Sequence, residues 1–175
     1  MRKVAKFEKV SFKKYKEAWF DSVDSATKED FIIENYNDLV LPKRATVGSA
    51  GYDFYAPFSF HLNPGETIKI PTGIRVNIGT GWVLKLYPRS SLGFKYRLWL
   101  DNCVGIIDED YYWSDNEGHI FAKITNNSKD GKTVVIKQGE AFMQGIFVEY
   151  GITYDDKANG IRNGGLGSTN YKLSD

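Results

Sequence analysis

From Leu39 onward, glycine and proline cut the chain into short runs whose apolar residues alternate, and this restricts the fold more than any other feature. Two such runs, Thr67-Ile68-Lys69-Ile70 and Ile74-Arg75-Val76-Asn77-Ile78, are hinged at Pro71-Thr72-Gly73 and follow the turn Asn63-Pro64-Gly65. Trp82–Tyr87, Ile120–Ile124, Thr133–Ile136 and Ala141–Tyr150 continue the series. Side chains of a strand point alternately to its two faces, so each run offers one face to a core. Several such strands joined by tight turns, with almost no helix between them, predict an antiparallel all-β sandwich or closed barrel. There is no P-loop or dinucleotide-binding glycine pattern, and no internal repeat.

The N-terminal part reads differently. Residues Lys3 to Val10 can form a first strand. Ser11 then offers an N-cap, and Phe12, Tyr15 and Trp19 recur at helical spacing among Lys13, Lys14, Lys16 and Glu17. This spacing predicts an amphipathic helix from about Phe12 to about Ser22, its aromatic stripe docked on the main core. Ser25 to Asn37 reads as a polar, acidic connector anchored by Phe31-Ile32-Ile33. The expected organisation is an extension over residues 1–38, packed outside a barrel of residues 39–158, with a Gly-rich arm over 159–175.

The 175 residues, 42% hydrophobic and 15% aromatic, suffice for one cored domain with a small appendage. A formal net charge of +1 supplies no electrostatic case for nucleic acid or an anionic membrane surface. Lone Cys103 excludes an internal disulfide and reads as a buried structural residue, since nothing places His61 or His119 beside it as an activator. The first residues lack the apolar core of a secretory signal, and no apolar run approaches a membrane span. A soluble, cytoplasmic protein is expected.

Two stretches carry chemistry. Pro88-Arg89-Ser90-Ser91-Leu92-Gly93 puts a guanidinium and two hydroxyls on one turn, with small residues that let backbone N–H groups approach an anion. A little later Ile106 and Ile107 lead Asp108 out of an apolar strand, followed by Glu109, Asp110 and Tyr111. A phosphate cradle beside a carboxylate base is a minimal kit for hydrolysing a phosphoanhydride. Arg162 among glycines, followed by Ser168 and Thr169, suits a mobile arm that closes over a polyphosphate.

Five segments in this order resemble the trimeric dUTP diphosphatases (dUTPases). They are Gly48-Ser49-Ala50-Gly51-Tyr52-Asp53, Pro88 through Gly93, Asn102 through Tyr111, Gly139-Glu140-Ala141-Phe142-Met143-Gln144, and Arg162 through Thr169. The resemblance runs from about residue 39 to the end. It implies a jelly-roll-like β barrel, a homotrimer with three shared active sites, and hydrolysis of dUTP to dUMP and pyrophosphate. It further implies that Asp108 activates the attacking water and that Arg89, Ser90, Ser91, Gln144, Arg162, Ser168 and Thr169 contact phosphates, with Asp53 orienting Arg89. Asn102, Gly105, Ile107, Tyr111 and Leu166 fall at base and sugar positions, Tyr111 lying beneath the deoxyribose. Mg²⁺ is expected to be held by the triphosphate and water, without direct protein ligands, Asp53 or Asp108 reaching it through water.

The chain departs from the commonest family pattern at four places. Ser91 stands where glycine is usual, and Leu166 where an aromatic commonly stacks on uracil. Arg162 sits one position closer to Gly164-Gly165 than in many members. Tyr112 to Glu117 lengthens a turn and places Trp113 near the site or a subunit contact. Two other readings remain. A dCTP deaminase of the same fold would need a glutamate where Lys123 stands. A regulatory or binding protein on the same scaffold would use the N-terminal segment as its surface.

Overall fold

The computed structural model describes residues 2–165, so the expectations for Leu166, Ser168 and Thr169 lie outside the described residues. The chain opens with β1 (Ala5–Lys9), α1 (Phe12–Ser22) and α2 (Glu29–Asn37). Next come β2 (Lys43–Arg44), β3 (Tyr52–Tyr55), β4 (Phe60–Leu62), β5 (Thr67–Pro71), β6 (Ile74–Ile78) and β7 (Trp82–Pro88). After α3 (Ser90–Tyr96) follow β8 (Leu98–Leu100), β9 (Gly105–Ile107), a 3-10 turn over Glu109–Trp113, β10 (Phe121–Asn126), β11 (Val134–Ile136) and β12 (Ala141–Glu149).

Every strand pair is antiparallel. The largest sheet runs β2-β3-β12-β7-β9; β5-β10-β8 form a second, and β1-β6 and β4-β11 two further ribbons. Their inner faces enclose one core, with Phe54, Ile70, Leu84, Leu86, Ile120 and Phe142 all but inaccessible. The expected alternation holds: β6 buries Ile74, Val76 and Ile78, and β10 buries Ala122, Ile124 and Asn126. The all-β, jelly-roll-like reading stands. The two runs hinged at Pro71-Thr72-Gly73 do not pair with each other, because β5 joins β10 and β6 joins β1. The hinge therefore carries the chain from one sheet to another, and Gly73 turns it at φ +71°.

Helix α1 spans the predicted residues, its Ser11 Oγ accepting from Lys14 N at 3.3 Å. Ser25–Asn37 is not merely a connector. Its second half is α2, which carries Glu29 and Asp30 in its first turn, where the helix dipole favours carboxylates. The sequence pattern is masked because α2 buries only Ile32 and a polar residue, Asn35. Tyr15 O–H donates to Asn35 Oδ1 at 2.5 Å, and Asn35 Nδ2 donates to the Pro57 carbonyl at 2.6 Å. Val10, Tyr15, Trp19, Ile32 and Leu39 form a second small core against Phe58. Leu39 comes so close to Gly73 that a Cβ there would sit 2.3 Å from its Cδ1.

Three further differences bear on the site. The Arg-Ser-Ser segment is not a simple turn: Arg89 is extended and Ser90 starts α3, which Arg97 ends in the left-handed region at φ 52°. The brief strand β8 follows at once, too short to show alternation in sequence. Cys103 is exposed, not buried, in the loop between β8 and β9. No helix among the described residues is long and apolar enough to cross a membrane.

Candidate active site

Asn102, Gly105, Ile107, Tyr111 and Arg162 line one pocket of about 100 Å³, together with Leu86, Ile106, Phe121 and the arm's Gly165. Strand β9 supplies its wall. Gly105 is needed there, since a Cβ would lie 3.0 Å from the Cβ of Leu86 on the paired strand β7. Asp108 follows β9 as the extended residue that begins the 3-10 turn. The turn separates the three acids. Glu109 accepts from Gly81 N at 3.0 Å on one side, while Asp108 and Asp110 face Arg162 on the other. Arg162 Nη2 donates to Asp108 Oδ2 at 2.5 Å and Nε to Asp110 Oδ1 at 2.8 Å.

Tyr111 belongs both to the core and to this pocket. Its O–H donates to the His119 carbonyl at 2.7 Å, and its oxygen accepts from Asn116 Nδ2 at 2.7 Å. Burial pushes its phenol above the ordinary value, and the Asn116 hydrogen bond opposes that shift. Asn116 was not legible as a site residue, because a lone asparagine before Glu-Gly reads as turn chemistry. His119 is buried, and its Nε2 accepts from Gly73 N at 2.8 Å. Burial lowers its pKa to about 3, so the imidazole is neutral.

The remaining predicted residues gather elsewhere. Cross-strand pairing sets Gln144 of β12 opposite both Asp53 of β3 and Tyr87 of β7. Residues paired in this way share a face. Asp53 Oδ1 lies 3.3 Å from Arg89 Nε, and Gln144 Nε2 donates to the Pro88 carbonyl at 3.3 Å. Gly51 makes room for Gln144, whose Oε1 would lie 2.7 Å from any Cβ at that position. Arg89 and Ser90 line a wider pocket of about 420 Å³ with Tyr87, Pro88, Gly93 and Phe94. Ser90 and Ser91 are both exposed there at the start of α3.

The two pockets share no lining residue. Leu86 lines the first and Tyr87 the second, and consecutive residues of a strand point to opposite faces. Within one chain, then, the Asn102–Tyr111 pocket and the Arg89 cradle are separate. Among the described residues no three His, Cys, Asp or Glu side chains converge on one point. Lys123 is exposed and pairs with Asp101 at 3.4 Å. Trp113 is 77% exposed and packs edge-on against Tyr112.

The dUTPase family model matches residues 37–170. This chain belongs to the dUTPase family. It is 43% identical over 132 residues to the deoxyuridine 5′-triphosphate nucleotidohydrolase of Lactococcus lactis subsp. lactis (strain IL1403), covering 74% of this chain and 87% of that protein. The crystal structure of dUTPase from Streptococcus mutans superposes with a TM-score of 0.61 at 34% identity, covering 84% of this dUTPase and 97% of that chain. The dUTPase of phage phi11 of S. aureus, at 22% identity, shares the fold with a TM-score of 0.56, over 70% and 92% of the two chains; its structure describes coordination of a structural Mg(II) ion.

Proposed function

We propose that this dUTPase hydrolyses dUTP to dUMP and pyrophosphate in the cytoplasm, at sites that subunits of a homotrimer build together, with Asp108 as the base. The observation that carries this reading is that the Asn102–Tyr111 pocket, whose Arg162 pairs with Asp108, shares no lining residue with the Arg89 cradle of the same chain. A neighbouring copy can bring its cradle to the pocket of the first. Exposed apolar side chains on both pocket linings, Phe94 at 93% and Ile106 at 52%, suit burial between copies.

Uracil presents two carbonyl acceptors around one N–H donor, a pattern that the backbone edge at Asn102 and Gly105 complements. The tight wall excludes thymine's methyl, and cytosine's amino group reverses the hydrogen-bond pattern. Tyr111 floors the deoxyribose. Asp108 takes a proton from water as the oxygen attacks the α-phosphorus, and the pyrophosphate leaves on the opposite side. Arg89, held by Asp53, and Ser90, Ser91 and Gln144 bind the phosphates. The arm, residues 159–175, closes with Arg162 on the terminal phosphates.

Two carboxylates without a third partner suit an ion that stays hydrated and bound to phosphate, so the residues fit Mg²⁺ carried in with the nucleotide. Bound there, it neutralises charge on the leaving pyrophosphate. Lys123 cannot move protons at the base as a deaminase glutamate would, and it points to solvent. Incubation with dUTP, dCTP or dTTP plus Mg²⁺ tests the reading by separate assay of pyrophosphate and ammonia. Pyrophosphate from dUTP alone is expected; ammonia from dCTP, or dTTP turnover equal to that of dUTP, would overturn it.

A further inference from the structure

The segment Tyr112–Glu117, an addition to the commonest dUTPase pattern, is built tightly against the pocket tyrosine. Asn116 Oδ1 accepts from Gly118 N at 3.1 Å, and a backbone N–H can only donate, so the amide's orientation is fixed. Its Nδ2 must therefore face the Tyr111 oxygen, which it reaches at 2.7 Å. The phenol hydrogen is then committed to the His119 carbonyl. Ser114 Oγ adds a 2.6 Å bond to the Tyr111 carbonyl, so side chain and backbone are both pinned.

The loop has no slack in which Asn116 could drift. Gly118 adopts φ +69°, and a Cβ there would lie 2.7 Å from Tyr112 Cα. From outside, the Arg75 guanidinium lies 3.5 Å over the Tyr112 ring and donates to the Tyr112 carbonyl at 3.2 Å. Glu117 accepts from both the backbone N and the Oγ of Ser11, at 2.7 and 2.8 Å. The N-terminal extension thus clamps the loop that holds the tyrosine.

We propose that Asn116 is a positioning residue that sets the choice of deoxyribose over ribose, by fixing the Tyr111 ring through its hydroxyl. This rests on Tyr111 being the floor of the sugar site. Two hydrogen bonds in different directions hold the ring against the space a 2′-hydroxyl would need. With the His119 bond alone the ring can pivot and make that room. The gain is therefore for UTP, chiefly in KM, while dUTP turnover changes less.

The experiment measures kcat/KM for dUTP and for UTP in the wild type, Asn116→Ala, Tyr111→Phe and the double variant, with thermal melts alongside. Asn116→Ala should lower the dUTP-to-UTP preference roughly tenfold. Tyr111→Phe, which removes the Asn116 bond and the His119 bond together, should lower it at least as much. The double variant should lose no more than Tyr111→Phe alone, since Asn116 acts through the hydroxyl that change removes. An unchanged preference in Asn116→Ala, or losses that multiply in the double variant, would overturn the proposal. If Asn116→Ala fails to fold, Tyr111→Phe decides alone, and its unaltered preference would overturn it. A wild type that turns over dUTP but does not prefer it to UTP would instead remove Tyr111 from the sugar site.

Discussion

The guanidinium of Arg162 lies across Asp108, with Nη2 2.5 Å from Oδ2, while its Nε holds Asp110 at 2.8 Å. A carboxylate engaged in this way has an oxygen committed to the arm that the proposed mechanism needs for water. The nucleotide's phosphates would offer the arginine a denser negative charge, so the proposed mechanism has substrate binding exchange one partner for the other. Under the proposed mechanism the arm is expected to shield the base in the free enzyme and to neutralise phosphate in the complex.

Arg162→Ala should lower kcat/KM for dUTP by roughly 10²-fold, as for loss of an electrostatic contact made at the reacting phosphates. The melting temperature should move little, because both carboxylates are about half exposed and such pairs contribute little. Steady-state kinetics and a thermal melt check this; unaltered kinetics would remove the arm's arginine from the reaction.

Asp108→Asn preserves shape but cannot take a proton. Nucleotide affinity, read by titration with a non-hydrolysable dUTP analogue, should be retained. Turnover should fall by about 10²–10⁴-fold, the range of a general base. Asp110→Asn should cost less, since Asp110 is the more solvent-exposed of the pair and, unlike Asp108, does not directly follow the pocket strand β9. Equal losses for the two would reassign the base.

His119 gives the fold a dependence on pH. Its pKa falls from 6.5 in the unfolded chain to about 3 in the fold, so the unfolded chain takes up the proton first on acidification. Its stabilising contribution is complete above about pH 6.5 and is lost as pH falls toward 3. The loss approaches about 1.4 kcal/mol per unit well inside that window, or about 2 kcal/mol at pH 5. Denaturant melts at pH 7.5 and 5 should show the fall in the wild type. His119→Gln, which can still accept from Gly73 N, should show a smaller one; identical slopes would place the pH dependence elsewhere.

The barrel was legible because its signal is local: alternation in β6 and β10 translates directly into Ile74, Val76, Ala122 and Ile124 facing inward. Helix α1 was legible for the same reason, its stripe and cap both lying within a dozen residues. Helix α2 was not, because its burial falls on Asn35, whose partners Tyr15 and Pro57 are distant in sequence. Helix α3 hides behind Pro88-Arg89, which reads as a turn, and buries none of its residues. The role of Asn116 depends on a contact set by the tight Gly118 turn, which composition cannot reveal. The separation of the site into two pockets depends on how distant segments pack, and no local pattern announces it.

That separation makes the central claim testable by mixing subunits. Arg89→Ala and Asp108→Asn variants, each nearly inactive alone, are unfolded together and refolded as mixed trimers. If a site takes its cradle from one subunit and its base from another, random assortment gives about a quarter of the sites both native residues. Pyrophosphate release from dUTP should then recover to about that fraction of the wild-type rate. A mixture no more active than its separate components would contradict the shared site and return both functions to a single chain.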